Sequence, residues 1–420
     1  MLAAPPALTS ELLSTGAIRE RCANITRAVE AGHSKHFRVD RDRLQTAAQI
    51  VAEVTRRRYR DLAIPYHSRW RHFDAGGVSR VSELNHRLAC YDATDRLRAQ
   101  IDLAVISVLL DAGAGAAWRY REPGMIDHYE RSEGLAVATL RAFMAGAWSA
   151  SPGEPLRVDA AALTEMDAAT LGQWFQMSER NRLVGLEGRA ALLRRLGDVL
   201  ETRPDRFTLT ARPSALFDRM QGAPTIAAPA ILRAILDGFG SIWRTRDAGT
   251  GGMPDADTDE FAEAGTSEMP GDVWRHPCAG GAGVTKGFVP FHKLSQWLAY
   301  SLFEPFEWAG ITVTDRDALT ALPEYRNGGL LIDSGALRLV DDADRARVWD
   351  PGSEIVVEWR ALTVTLLDDL APYVRAELDQ PQLPLACILE GGTWAAGREF
   401  AARLRNGEPP LTVRSDGTVF

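Results

Sequence analysis

The strongest constraint on the fold is the spacing of apolar residues, which recur at intervals of three and four positions along much of the chain. The spacing is clear over residues 101–110, 134–148, 190–200 and 229–243. It gives an α-helix one apolar face, whereas the alternation of strands and helices typical of a parallel sheet is not visible. Residues 101–110 are apolar on most faces, so we expect a buried central helix there. The sequence therefore predicts a mainly α fold.

The stretch 354–378 is ambiguous between strand and helix. Val356, Val357 and Val364 favour a strand, because β-branched side chains fit a pleated surface. Other apolar residues recur at helical spacing over several turns, namely Ile355, Trp359, Leu362, Leu366 and Leu370. The length of the stretch and this periodicity together predict a helix.

Two segments depart from the helical pattern. Residues 246–272 lose the periodicity and are rich in Gly, Asp, Glu, Thr and Pro, so we expect a surface loop that is either a passive insert or a lid. The ending LTVRSDGTVF carries Asp416 and Gly417 between β-forming residues, which predicts a β-hairpin. The fold is thus expected to be helical with minor β-hairpins.

No composition shift is sharp enough to divide the chain into separate domains. We expect an N-terminal extension at residues 1–35 and a single compact helical body at residues 36–420. Within that body the prediction places an N-terminal helical part at about 36–150 and a C-terminal helical part at about 160–420.

Composition argues against several classes of protein. The net charge of −8 opposes broad nucleic-acid binding, which relies on a basic surface. The four cysteines are scattered without a C-x-x-C pair, which argues against a zinc knuckle, a redox dithiol and a disulfide scaffold. No segment approaches the roughly 18 apolar residues of a membrane span, and residues 1–10 lack a signal-peptide pattern. We therefore expect a cytoplasmic protein that uses no membrane, nucleic acid, metal or cofactor.

A first candidate site lies where a Gly/Pro turn passes into a helix, in the segment GFVPFHKLSQWLAYSLFEPFEW. Its first turns carry His292, Lys293 and Gln296. A helix N-terminus attracts anions, and a lysine there strengthens the attraction. The alternative is a solvated first turn that only caps the helix. The segment thus predicts either an anion site or a cap.

A second candidate site, in the segment LPEYRNGGLLIDSG, places four polar residues directly before a pair of glycines: Glu324, Tyr325, Arg326 and Asn327. Glycine lets the backbone approach a ligand closely, so polar groups beside a glycine turn suit the wall of a site. Alternatively, Glu324 and Arg326 are exposed loop charges or an ion pair. Both readings stay open at this point.

A third candidate pair, Glu358 and Arg360, stands among apolar neighbours in the segment SEIVVEWRALTV. Buried charges need a partner, so these two residues indicate either a structural ion pair or a ligand contact.

A fourth segment, RWRHFDAGG, offers residues that could stack on and hydrogen-bond a flat group, although they could equally be core residues: Trp70, His72, Phe73 and Asp74. Motifs for a nucleophilic serine, a phosphate loop or a zinc protease are not found.

Around these residues the chain resembles a family of bacterial and fungal proteins of uracil catabolism, long labelled as a domain of unknown function. The resemblance runs from about residue 36 to residue 405 and is carried by RSEGLAVATL, LVGLEGRAALLRRLG, PFHKLSQWLAYSLFEPFEWAG, LPEYRNGGLLIDSG, VVEWRALTV and CILEGGTWAAGREF. It implies a route in which uracil is ribosylated to the nucleotide and its ring is opened. Urea and ribose must then be separated, so the resemblance implies a pathway more than a reaction.

The order of short motifs is also similar to that of the queuosine-nucleotide N-glycosylase family. In that family F-Y-K-R-A-Q precedes D-Y-R-V-P-Q and then E-I-R-A, and here the order reads FHKLSQ, EYRNGG and EWRA. The N-terminal RWRHFDAGG is likewise similar to its H-F-x-D-G phrase. The matched positions are Lys293, Gln296, Tyr325, Arg326, Glu358 and Arg360, while Glu324 replaces an aspartate and Asn327-Gly328-Gly329 replaces V-P-Q. This likeness implies a helical DNA-glycosylase architecture of the helix-hairpin-helix type and hydrolysis of a base from ribose 5-phosphate.

These resemblances imply roles for the candidate residues. Cleavage of an N-ribosidic bond passes through an oxocarbenium-like sugar, which a fixed carboxylate such as Glu324 can stabilise. Lys293 and Arg326 would hold a 5-phosphate, and Asn327 or Gln296 would bind an amide leaving group such as urea. The other expected substrate contacts are His292, Tyr325, Glu358 and Arg360, with Trp70, His72, Phe73 and Asp74 facing the leaving group.

Three functional hypotheses follow. The first is a hydrolase that cleaves an N-ribosidic bond of a ribosyl 5-phosphate intermediate, which a ribosylurea species would satisfy. The second is an amidase that attacks the opened pyrimidine ring, and the third is a noncatalytic protein that binds an unstable intermediate. In each case the expected partner is a small nucleotide-like molecule, and other uracil-catabolism enzymes are related only through the pathway.

Overall fold

The computed structural model describes residues 10–208, 210–220, 222–243 and 271–414. Most of the loop predicted at 246–272 therefore lies outside the described residues, and only Gly271 and Asp272 are within them. The turn of the predicted C-terminal hairpin, at Asp416 and Gly417, also lies outside them.

Helices dominate the described residues, which confirms the predicted mainly α fold. In chain order they are α1 (Thr15–Glu30), α2 (Arg43–Arg58), α3 (Arg69–Phe73), α4 (Arg80–Arg87), α5 (Ala93–Leu109), α6 (Arg131–Met144), α7 (Ala160–Thr164), α8 (Ala168–Trp174), α9 (Leu186–Thr202), α10 (Pro204–Phe207), α11 (Ala228–Phe239), α12 (Lys293–Trp308), α13 (Tyr325–Asp333), α14 (Glu354–Leu378), α15 (Leu385–Ile388) and α16 (Trp394–Arg405). The helix-hairpin-helix detail stays a prediction.

The strands are short and form two-stranded ladders. They are β1 (Phe37–Val39), β2 (Tyr120–Arg121), β3 (His128–Tyr129), β4 (Thr225–Ala227), β5 (Val273–Arg275), β6 (Phe288–Pro290), β7 (Thr312–Thr314), β8 (Leu337–Leu339), β9 (Val348–Trp349) and β10 (Thr412–Val413). The pairs β1–β8, β2–β3 and β5–β6 are antiparallel, and β4–β7 and β9–β10 are parallel. The described part of the C-terminal ending thus pairs with β9.

The chain divides into two compact units, and neither is continuous in sequence. Among the described residues, the first unit comprises residues 10–67, 271–296 and 315–414. The second comprises the described residues of 68–243 and residues 297–314. Each unit collects segments that are distant in sequence. The prediction of a single compact body stays a prediction.

The first unit is built around the long helix α14. Helices α1, α2 and α13 pack against it. Its apolar residues lie on several faces and are buried, including Ile355, Val356 and Trp359. A helix that is apolar on most faces is stabilised when neighbours surround it, so helical burial overrides the strand preference of its valines. This outcome confirms the helix predicted at 354–378.

The glycine pair Gly328-Gly329 corrects one expectation. The two residues do not break the chain into a loop, because both lie inside α13. A Cβ atom on Gly328 would lie 2.6 Å from Trp359 Nε1 and 2.8 Å from Thr363 Oγ1. Glycine is therefore needed here for the close approach of α13 to α14 rather than for a turn.

The second unit is centred on α5, where nearly all residues from Leu97 onward are buried. This confirms the buried helix predicted at residues 101–110. Helix α6 packs against both α5 and the short helix α3. Among the described residues, the helices are too short or too polar to cross a membrane.

Candidate functional site

Glu324 lies in the first unit at the N-terminus of α13 and is partly buried. Its backbone is extended, and its carboxylate folds back over the first turn of the helix. One oxygen accepts from the backbone N–H of Asn327 at 2.6 Å and the other from that of Arg326 at 2.8 Å. An ionised carboxylate has about four acceptor positions, so two remain for water or a ligand. The side chain is thus held in one orientation with acceptor capacity to spare.

Capping alone does not explain why a glutamate occupies this position. Helix N-caps favour Ser, Thr, Asp and Asn, whose short side chains reach the first turn directly. The longer side chain of Glu324 makes two backbone hydrogen bonds but carries its charge further from its own Cα atom. The residue type therefore leaves room for a second role.

Arg326 is 5% exposed and lies two residues beyond Glu324. Its guanidinium carbon stands 5.0 Å from the ring centroid of Tyr325 and 5.0 Å from that of Trp394. Within the described part of the chain, no carboxylate or carbonyl group accepts a hydrogen bond from this guanidinium. Stacking uses the faces of the group and leaves the N–H donors at its edges available. A nearly buried cation without a counter-charge is well suited to bind an anion.

Asp272 and Arg360 form a second cluster in the first unit. Their two-pronged ion pair has N–O distances of 2.8 and 2.6 Å, and the Arg360 side chain is 1% exposed. The same guanidinium covers the Phe291 ring at 4.2 Å and donates to the carbonyl oxygen of Pro323 at 3.4 Å. Arg360 therefore links α14 with the start of α12 and with the residue that precedes Glu324.

Burial by itself would raise the pKa of Asp272, but its surroundings reverse that effect. The charge of Arg360, the hydrogen bonds from its guanidinium, the Lys293 backbone N–H and the Trp274 indole lower the pKa to about 2. Asp272 is thus ionised at neutral pH and neutralises the buried Arg360. Asp272 stands at the predicted end of the surface loop, and its side chain is 11% exposed.

The low pKa of Asp272 predicts a specific sensitivity to acid. The unfolded pKa of an aspartate is about 3.9, so the ionised form favours folding above that pH and the benefit disappears as the pH falls towards 2. We expect Asp272→Asn to lose about 2 to 3 kcal/mol of unfolding free energy at pH 6, and the difference from wild type to shrink at pH 3. Urea denaturation of both proteins at the two pH values measures this. A difference independent of pH would contradict it.

The start of α12 holds His292, Lys293 and Gln296. Lys293 donates its backbone N–H to Asp272 at 2.9 Å. Gln296 is fully buried, and its amide bonds the Phe291 carbonyl and both the N–H and the hydroxyl of Thr320. His292 is buried with a positive φ of 48°, and its Nε2 lies 2.9 Å from the Leu12 carbonyl. Burial lowers the pKa of His292.

The side-chain amides of Gln296 and Asn327 both form hydrogen bonds within the protein. Asn327 is fully buried, donates to the Leu322 carbonyl at 3.1 Å and accepts from the Thr393 hydroxyl at 2.9 Å. Both amides are engaged by the chain itself, and their role in binding a leaving group stays a prediction. The phosphate role of the Lys293 side chain stays a prediction.

Glu358 and Arg360 belong to different clusters, although they stand two residues apart on α14. Glu358 is 2% exposed and accepts a hydrogen bond from the Ser34 hydroxyl. Its other oxygen faces His276 Nε2 at 3.4 Å. Arg360 is thus paired with Asp272, whereas Glu358 contacts the Ser34 hydroxyl and the His276 ring, and the motif EWRA contains none of these partners.

The proposed leaving-group residues lie in the second unit. Trp70 and Phe73 are fully buried, and their rings meet edge to face at 5.3 Å. Trp70 Nε1 donates to the Ser301 carbonyl at 2.8 Å, and the His72 ring stands 5.8 Å from that of Trp297. Asp74 accepts from the Val81 backbone N–H. Trp70 and Phe73 are therefore core residues, and a leaving-group role for the four stays a prediction.

Sequence reasoning missed a third group in the first unit, around the π-helical turn Leu389–Thr393. Glu390 accepts hydrogen bonds of 2.9 Å from Arg58, Tyr59 and His67. The His67 ring stands 6.1 Å from that of Trp394, on which Arg326 stacks. A π-turn is uncommon and is often found at functional sites. The acidic residue and the tryptophan within CILEGGTWAAGREF were the available signal.

The chain matches known proteins along nearly its whole length. The model of a family described as a protein of unknown function (DUF1688) matches residues 11–420. Protein urg3 of Schizosaccharomyces pombe is 36% identical over 423 residues, which cover 98% of this chain and 98% of that protein. Uracil catabolism protein 4 of Lachancea kluyveri is 36% identical over 445 residues, which cover 97% of this chain and 98% of that protein. The match over residues 11–420 shows that this chain belongs to the DUF1688 family.

Proposed function

We propose that this protein takes part in uracil catabolism as a hydrolase that cleaves the N-ribosidic bond of a ribosyl 5-phosphate intermediate, with ribosylurea 5-phosphate as the first candidate. The pathway is suggested by the name of the relative from Lachancea kluyveri. The observation that carries the reaction is the pairing, within one motif, of the oriented Glu324 carboxylate and the nearly buried Arg326 guanidinium. The relatives' names by themselves do not indicate a reaction.

The proposed reaction consumes one water molecule. The bond between ribose C1 and the urea nitrogen breaks with its electron pair going to nitrogen, and the water oxygen bonds to C1. One proton of the water ends on the leaving nitrogen, so the products are ribose 5-phosphate and urea. Positive charge develops on the sugar as the bond breaks, and the fixed negative charge of Glu324 would stabilise it or orient the water.

Arg326 would bind the phosphate of the same substrate. A guanidinium offers two parallel N–H donors that match two phosphate oxygens. The centroids of the Tyr325 and Trp394 rings each lie 5.0 Å from its guanidinium carbon and the rings restrict the side chain, so little freedom would be lost on binding. The proximity of the two residues in sequence would place the charged tail and the reacting carbon of one small molecule at one helix terminus.

The test of this proposal supplies the purified full chain with ribosylurea, ribosylurea 5-phosphate, uridine monophosphate and uridine. The expected result is release of reducing sugar and urea from the phosphorylated ribosylurea. Release of ammonia without reducing sugar would favour the amidase hypothesis. Tight binding without turnover would favour a noncatalytic binding protein, and either outcome overturns the hydrolase.

The phosphate role predicts a selective effect of Arg326→Gln. We expect KM for the phosphorylated substrate to rise about 10- to 100-fold, since a hydrogen bond to a charged group contributes about 1.5 to 3 kcal/mol. Activity on unphosphorylated ribosylurea should change little. Steady-state kinetics on both substrates make the comparison.

The matched control for that experiment is Arg403→Gln. Arg403 also stacks on an aromatic ring, with its guanidinium carbon 4.9 Å from the Phe400 centroid, but it is exposed. This substitution should leave both substrates unaffected. An equal loss on both substrates in Arg326→Gln would contradict the phosphate assignment.

A further inference from the structure

Three metal-ligating side chains that are not part of the Glu324 and Arg326 pair converge in the first unit. They are His276, Glu354 and Glu358, and one potential ligand atom from each lies within 4.8 Å of the other two. His276 is 3% exposed, Glu358 is 2% exposed and Glu354 is partly buried. The cluster thus combines one imidazole and two carboxylates at the edge of the core.

Local structure explains why the three side chains meet. Glu354 and Glu358 stand four residues apart in the first turns of α14, so they project from the same face of the helix. His276 follows directly after β5, whose hairpin with β6 brings it to that face. Two like charges at this spacing repel each other, and a cation between them would remove the repulsion.

His276 supplies an independent sign that a ligand belongs here. Its Nε2 atom is buried and has no hydrogen-bond partner in the described part of the chain. That atom faces Glu358 Oε2 at 3.4 Å. A buried polar atom without a partner is costly, and so is a buried carboxylate that is neutralised only in part. Both costs disappear if a cation lies between the two side chains.

We propose that His276, Glu354 and Glu358 bind a divalent transition-metal ion of the zinc type. The 3.4 Å between His276 Nε2 and Glu358 Oε2 fits, because zinc bonds to nitrogen and oxygen are about 2.0 to 2.2 Å long and tetrahedral geometry then separates two ligands by roughly 3.4 Å. Imidazole together with carboxylate favours Zn²⁺ or Mn²⁺ over Mg²⁺ and Ca²⁺, which prefer oxygen alone. A fourth position would remain for water.

Residues around the cluster would support the ion. The Ser34 hydroxyl donates to Glu358 Oε1 and orients this carboxylate, as an outer partner of a metal ligand commonly does. Lys35 forms an exposed ion pair with Glu354 at 3.0 Å, which is easily exchanged for a metal contact. The Glu358 carboxylate is thus held in one orientation, whereas the Glu354 carboxylate can move towards an ion.

Metal binding would also change one contact of the His276 ring. Its Nδ1 accepts the backbone N–H of Cys278 at 3.2 Å, a long hydrogen bond. An imidazole that binds a metal through Nε2 carries its proton on Nδ1, so the Cys278 peptide must turn away as the ion enters. The Cys278 amide signal in a nuclear magnetic resonance spectrum should therefore shift on loading.

The test measures metal content and affinity of the full chain, so it does not depend on the proposed hydrolase activity. Protein stripped with chelator and dialysed against Zn²⁺, Mn²⁺ or Mg²⁺ should retain about one Zn²⁺ per chain and little Mg²⁺. We expect Zn²⁺ to raise the Tm of the wild type. His276→Asn and Glu354→Gln should weaken Zn²⁺ binding by roughly 100-fold or more.

Glu377→Gln is the matched control, because Glu377 lies on the same helix and bonds Gln45 rather than the cluster. It should bind Zn²⁺ as the wild type does. Glu354 is partly exposed, so its variant is expected to fold even if substitution of the buried His276 does not. Zinc content that is unchanged in Glu354→Gln, or absent from the wild type, overturns the proposal.

Discussion

Glu324→Gln should lower kcat on ribosylurea 5-phosphate by about 10²- to 10³-fold, the range observed when one electrostatic stabiliser of a transition state is removed. The amide oxygen of glutamine can still accept from the first turn of α13, so the fold and substrate binding should persist. The negative charge that would face the developing cation is lost. Steady-state kinetics and calorimetric binding of the substrate measure the two effects separately.

Two variants make this experiment specific. Asp92→Asn removes a carboxylate that caps α5 by accepting from the Asp95 backbone N–H in the second unit, and it should retain full activity. Glu324→Asp keeps the charge at the same helix terminus and should retain more activity than Glu324→Gln. Unchanged kcat in Glu324→Gln would remove the carboxylate from the mechanism.

Arg360→Met should strongly destabilise the first unit. It leaves the Asp272 carboxylate buried without its cation, and breaking a buried ion pair from one side costs about 3 to 5 kcal/mol. Methionine fills much of the vacated volume, so the loss should be mainly electrostatic. Urea unfolding at pH 7 gives the change in free energy.

The double variant Asp272→Asn with Arg360→Met should lose less than the sum of the two single losses, because removal of both charges leaves neither one uncompensated. Arg405→Met is the matched control: Arg405 makes a similar two-pronged pair with Asp333 at 2.9 and 2.6 Å, but its side chain is 23% exposed. Its effect should be smaller. Strict additivity of the Asp272 and Arg360 substitutions would show that the pair does not act as one unit.

The helices of this fold were largely predictable, because helical spacing is a local signal. The clearest case is α14, where periodicity over a long stretch outweighed the strand preference of Val356 and Val357. The role of Gly328 was predicted wrongly because it depends on a contact with a residue that is distant in sequence. A glycine signals a turn by local rules, but here it is needed for the approach of Trp359 from another helix, and no local pattern reports that contact.

The candidate site was predictable only in part. The motif around Glu324 and Arg326 was found because its polar residues are consecutive. The partners of the other charges are distant in sequence: Asp272 is 88 residues from Arg360, and Ser34 is 324 residues from Glu358. The contact of Trp394 with Arg326 could not be predicted either, because nothing near Arg326 in sequence indicates this ring. Spacing within a motif cannot specify partners that folding brings from elsewhere.

The pairing of α1 with α14 has a consequence for how the protein is made. Arg19 on α1 bonds Asp368 on α14 at 2.8 Å, across 349 positions of the chain. Synthesis on a ribosome therefore completes α1, with the apolar face that holds Ile18, Cys22 and Ile25, long before its partner helix exists. Residues 68–243 emerge in between and can collapse first. The apolar face of α1 therefore lacks its native partner until α14 has been synthesised.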